Sequence, residues 1–111
     1  LHKGTSFVFN GEVANGNSGT NFAVNWRLGN KQALTLTATC TLTFTAPEGA
    51  TNLLLRAVQS NGAAYQFTYP SSVKISGGTA LTTGTNSIDI VSFYYNPTSG
   101  SYLGLTSTNF V

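Results

Sequence analysis

A chain of 111 residues is long enough for one hydrophobic core and one domain. Charged residues make up 7% of it, against the usual ~25%, and the net charge is +2. The cations Lys3, Arg27, Lys31, Arg56 and Lys74 are scattered and form no basic run, which excludes a phosphate-tracking surface and so a nucleic-acid partner.

Residues 1–21 read as an N-terminal arm or linker, and residues 22–111 as a β domain. His2 stands near the start with no sequence partner. In TSFVF, Phe7 and Phe9 share one phase and make a candidate edge strand. NGEVANGNSGTN follows, rich in Gly and Asn, and reads as a flexible loop. Phe22, Val24 and Trp26 then alternate with Ala23, Asn25 and Arg27, the pattern of a strand with a heavy apolar face. Leu28-Gly29-Asn30 is a turn.

The stretch Leu34–Ala46, LTLTATCTLTFTA, organises the rest. Its even positions are apolar or small, and every odd position from 35 to 45 is threonine. A period of two marks a strand with one buried face, and threonine is β-branched and suits a pleated surface. Fully extended, the run would span about 43 Å, against a radius of gyration near ~13 Å for a domain of this length. It must therefore turn or bend near Thr39-Cys40. A hairpin with the loop Ala38-Thr39-Cys40 keeps the phase and sets Leu36 opposite Leu42. The alternative is one long strand that bends and crosses from one sheet to another. Cys40, the sole cysteine, lies on the apolar phase and reads as a small buried hydrophobe.

Pro47-Glu48-Gly49 is turn chemistry. The apolar run from Leu53 to Val58 is a strand, and Ser60-Asn61-Gly62 is a hairpin signal that pairs roughly 52–59 with the aromatic strand 64–69. Pro70-Ser71-Ser72 ends that strand, and Val73 and Ile75 form a short piece before Gly77-Gly78. A polar loop leads to IDIVSFYY (88–95). Both faces of that strand are apolar, which predicts a central strand covered on each side or one face held in a subunit contact. Tyr102-Leu103-Gly104-Leu105 is the last strand, and the apolar end Asn109-Phe110-Val111 reads as docked. The fold class expected is all-β, an antiparallel, jelly-roll-like β-sandwich in a single domain.

Chemistry is scarce. Thr, Ser and Asn supply 39 residues of the 111, so hydroxyls and amides coat the surface. The three carboxylates are Glu12, Glu48 and Asp89, and no two are paired by sequence as glycoside hydrolysis requires. One His and one Cys make no metal site. Neither a nucleophile elbow nor a phosphate loop is present. The expectation is no enzyme, no cofactor and no metal. No apolar run of 18 residues predicts membrane insertion. The chain holds no methionine, which reads as a fragment or a processed product. Asp89 reads as an acceptor for loop amides or, alternatively, as a polar ligand contact across a subunit interface.

The order of motifs is informative as a whole. Trp26-x-Leu28-Gly29-Asn30, LTLT and TLTF (34–37 and 41–44), LLLRAVQ (53–59), FTYPSSVK (67–74), Gly77-Gly78 and DIVSFYY (89–95) together resemble a β module of bacteriophage virion proteins. Such modules occur in tail and head fibres and related appendages. In that pattern an aspartate heads the late strand and a Pro-x-x-Val follows the aromatic strand, as Asp89 and Pro70-Ser71-Ser72-Val73 do here. The resemblance covers about residues 22–105. It implies a non-enzymatic virion module of fibre, spike or capsid-decoration type, on the particle surface. It also implies a homotrimer, joined to other virion proteins through residues 1–21 and able to contact a host-surface glycan. The alternative is a carbohydrate-binding module that stacks sugars on Trp26, Tyr65, Tyr69, Tyr94, Tyr95 or Tyr102. Three or more of those rings open in one groove would favour it.

Overall fold

The computed structural model describes residues 11–60 and 64–110. The expected edge strand at Phe7 and Phe9, His2, the Asn61-Gly62 turn and Val111 lie outside the described residues. The described residues form nine strands: β1 (Val13–Asn17), β2 (Asn21–Asn25), β3 (Lys31–Leu36), β4 (Cys40–Thr45), β5 (Thr51–Gln59), β6 (Phe67–Thr68), β7 (Val73–Ile75), β8 (Ile88–Asn96) and β9 (Ser101–Phe110). They form a six-stranded sheet in the order β1-β3-β5-β8-β9-β7 and a three-stranded sheet in the order β2-β4-β6. The described residues contain no helix, so the all-β expectation holds.

From β1 to β6 the chain alternates between the two sheets, and each strand pairs in parallel with the strand two before it. Parallel neighbours need a long crossover, usually a helix. Here the crossover is a strand in the other sheet. Successive corners stack and bond. Ser18 N donates to Thr35 O (2.8 Å), Thr41 N to Thr20 O (2.9 Å) and Cys40 N to Gln66 O (2.9 Å). At the opposite corner Trp26 N donates to Thr45 O (3.1 Å) and Leu54 N to Asn30 O (2.8 Å). Buried Gln32 closes the 25–30 turn, its Nε2 donating to Asn25 O (2.8 Å) and Gly29 O (2.9 Å).

Three expectations are corrected. The pairing is mixed rather than antiparallel. Among the described residues only β5 with β8 and β8 with β9 run antiparallel, while β7 adds to β9 in parallel. Alternation reports which face a residue takes, and it is blind to strand direction. Second, Leu34–Ala46 is not a hairpin. β3 lies in one sheet and β4 in the other, with Thr37–Thr39 as the corner, so the crossing alternative describes it. The phase survives because Leu34 and Leu36 enter the core from one sheet and Cys40 and Leu42 enter from the other. Third, 52–59 does not pair with 64–69. Both edges of β5 are taken, by β3 and β8, and Phe67–Thr68 joins β4 across the molecule. The Gly/Asn-rich segment read as a loop also contributes a strand, β1, on the edge beside β3.

One core lies between the sheets. Leu34, Leu36, Leu53, Leu55, Val91 and Phe93 enter it from the larger sheet, and Val24, Cys40, Leu42 and Phe67 from the smaller. Cys40 is fully buried, and burial pushes its thiol above the ordinary range, as an inert core residue requires.

Candidate functional site

The two faces of the larger sheet follow directly from phase. On β5, Leu53, Leu55 and Ala57 point into the core, so Asn52, Leu54 and Arg56 point out. On β8, Asp89, Val91, Phe93 and Tyr95 are inward, leaving Ile90, Ser92 and Tyr94 outward. On β9, Tyr102 and Gly104 are inward, with Leu103 and Leu105 outward. The register sets Leu54, Ser92 and Leu105 in one row and Asn52, Tyr94 and Leu103 in the next. Leu54, Tyr94, Leu103 and Leu105 are 36%, 44%, 48% and 59% exposed, which makes a contiguous apolar patch rather than scattered surface residues. A groove of about 390 Å³ opens within it, lined by those four side chains with Asn52 and Ser92.

Charge is sparse on this face and is partly neutralised within the chain. Arg56 grips Glu12 with two hydrogen bonds, Nε to Oε2 and Nη2 to Oε1, both 2.8 Å. The Arg56 guanidinium holds the Glu12 carboxyl below its usual range, and Glu12 in turn raises Arg56. The pair ties the segment before β1 to β5. Lys31 and Lys74 stand exposed at the two flanks, beside Leu54 and Leu103 respectively.

The residues singled out from sequence do not converge on one surface. Trp26, Tyr95 and Tyr102 are buried, and Tyr65 and Tyr69 are half-buried against the core. Tyr94 alone is exposed, in the groove. Asp89 is 1% exposed and faces its own chain. It accepts from Thr82 N and from Thr82 Oγ1 (2.7 Å) through its two oxygens, and from Asn109 N (2.8 Å). This is the loop-amide role, and it pins both the 76–87 loop and the end of β9 to β8. Leu54, Ser92, Leu103 and Leu105 were not singled out. The signal for Leu54 lies in the unbroken apolar run 53–55, and Leu103 and Leu105 share one phase of 102–105, but phase alone does not say which side faces outward.

No acid–base pair is available among the described residues. Glu12 is held by Arg56, Glu48 lies 3.7 Å from Arg27 on an exposed turn, and Asp89 accepts three hydrogen bonds from its own chain. The described residues include no cluster of His, Cys, Asp or Glu that could hold a metal ion. Comparison with known proteins returned no matching family model, curated protein or solved structure.

The buried tyrosines set an alkaline limit. Burial, and then Tyr95, push the Tyr102 hydroxyl up to about 12, and burial with the Asp89 charge raises Tyr69 further. An unfolded tyrosine ionises near 10.0. Between that value and 12 the unfolded chain has released protons that the folded chain retains, so stability is full below pH ~10 and falls as pH rises. Melting followed by near-ultraviolet circular dichroism is expected to show a falling Tm from about pH 10 upward. A Tm that stays flat to pH 12 would contradict the burial of these hydroxyls.

Proposed function

We propose that this chain is a non-enzymatic, self-associating structural module, of the fibre, spike or capsid-decoration kind borne by virions. The observation that carries self-association is the exposed apolar face of the larger sheet around Leu54, Tyr94, Leu103 and Leu105. A sheet face of this character is stable in water when another surface covers it. The composition, rich in hydroxyls and amides and poor in charge, supports a structural role. The virion assignment rests on the motif order from Trp26 to Tyr95. The homotrimer and the link to other particle proteins through residues 1–21 are what that resemblance implies. The same reading takes the two sheets as the layers of a sandwich, on the strength of their common core.

The carbohydrate-binding alternative asks for several open rings in one groove. Tyr94 is the one such ring among the described residues, so that reading has less support. Sedimentation velocity over a micromolar concentration series tests the proposal. A concentration-dependent oligomer is expected, and a monomer throughout would overturn it.

A further inference from the structure

The outer face offers more than greasiness, because projecting side chains and a groove adjoin on it. In one row Leu54 and Leu105 flank the short side chain of Ser92, and in the next Tyr94 projects beside Leu103. Projecting side chains and the groove they border thus occur side by side on one surface. A two-fold contact requires this arrangement, since the same patch must supply both knob and hole.

Size points the same way. At ~4.8 Å between strands and ~3.4 Å per residue, the face over β3, β5, β8 and β9 covers about 600 Å². Each partner in a standard stable interface gives roughly 600–1,000 Å², so the whole face, fully covered, reaches the lower end of that range. The central side chains Leu54, Ile90, Ser92, Tyr94, Leu103 and Leu105 carry no charge, and the Arg56–Glu12 pair needs no external counter-charge. A partner recognised by charge is therefore not required at the centre. One open sheet face is covered most completely by another such face, with sheets ~10 Å apart. Around a three-fold axis, three such faces meet along their flanks and leave the centre of the patch less covered.

We propose that two copies of this chain pack outer face on outer face about a two-fold axis, with Leu105 and Tyr94 of each copy filling the other's groove over Ser92. This rests on the self-association reading and deepens it, with a two-fold dimer in place of the homotrimer that the resemblance implies. Leu105 and Tyr94 are exposed in the single chain, so Leu105→Glu and Tyr94→Lys leave the core intact. The emission of Trp26, which is buried, reports that each variant is folded. Leu28→Glu, at an exposed leucine on the 26–30 turn, is the control.

Sedimentation velocity on the whole chain is expected to show a dimer for the natural sequence and for Leu28→Glu. Leu105→Glu and Tyr94→Lys are expected to weaken the dimer at least tenfold in Kd. A natural chain that stays monomeric overturns both the interface and the self-association reading. An oligomer indifferent to both outer-face variants overturns the interface alone. A trimer dissolved by the same variants keeps the face as the contact and overturns the two-fold arrangement.

Discussion

Asp89→Ala is expected to destabilise the fold by about 3–5 kcal/mol, one of the largest effects of any single side chain here. The carboxylate is buried and accepts three hydrogen bonds, from Thr82 N, Thr82 Oγ1 and Asn109 N. Hydrogen bonds to a charged group are worth roughly 1.5–3 kcal/mol each, and they are not additive. Alanine would leave two backbone N–H groups without the acceptor that the buried Asp89 side chain provides. Asn109 also holds a left-handed backbone, φ 62°, which favours glycine and is sustained here by the contact to Asp89. Asp89→Asn keeps the shape but turns one acceptor into a donor that faces donors, so about half the loss is expected. Urea unfolding at neutral pH gives the magnitude. Hydrogen exchange gives the location, with the amides of Thr82 and Asn109 losing protection before those of β3 and β5. A change under about 1 kcal/mol in Asp89→Ala would show that the contact holds little.

How far the sequence carries can be judged at individual residues. The phase of Leu34, Leu36, Cys40 and Leu42 marks core positions because a pleated strand has no other way to bury one face. The same logic places β8 centrally and ends β7 before Gly77, which adopts φ 81°. Partner choice is another matter. Nothing in LTLTATCTLTFTA states that Leu36 and Leu42 belong to different sheets, since a corner of odd length preserves the alternation as well as a hairpin loop does.

The parallel winding is hidden for a further reason. Partners lie 19 residues apart from Val13 to Gln32, 20 from Asn21 to Thr41, 23 from Lys31 to Leu54 and 27 from Cys40 to Phe67. A coil of growing length leaves no fixed repeat to detect. The Gly/Asn-rich β1 was hidden because its strand character comes from pairing with β3 and not from propensity. The candidate face was half visible. Apolar residues on both phases of 88–95 announce two demands on one strand, and the structure meets one of them with the core. The other is met by Ile90 and Tyr94 pointing outward beside Leu54, Leu103 and Leu105.

Phe93→Ala is expected to cost about 3–5 kcal/mol through the cavity it leaves, and to do so across the whole molecule rather than locally. The Phe93 ring lies edge-on to Trp26 (6.2 Å between centroids), Phe44 (5.6 Å), Tyr69 (6.3 Å) and Tyr102 (6.2 Å). Phe44 belongs to the smaller sheet, Trp26 and Tyr69 directly follow strands of it, and Tyr102 comes from the larger sheet, so this ring joins the two layers. Edge-to-face pairs add roughly 0.5–1.5 kcal/mol each beyond the area they bury. Loss of the ring should therefore shift the unfolding of both sheets together, with Trp26 fluorescence and far-ultraviolet circular dichroism moving as one transition. Separate transitions would mean that the layers fold independently and that the common core is not cooperative. The opposite strand provides a check on cause. Gly104 is the cross-strand partner of Phe93, and a Cβ there would stand 2.9 Å from Phe93 Cδ1. Gly104→Ala should thus be costly in the natural chain, and much of that cost should vanish when Phe93 is already alanine. A double-mutant cycle over the four proteins measures this, and additivity within ~0.5 kcal/mol would show that the ring does not constrain position 104.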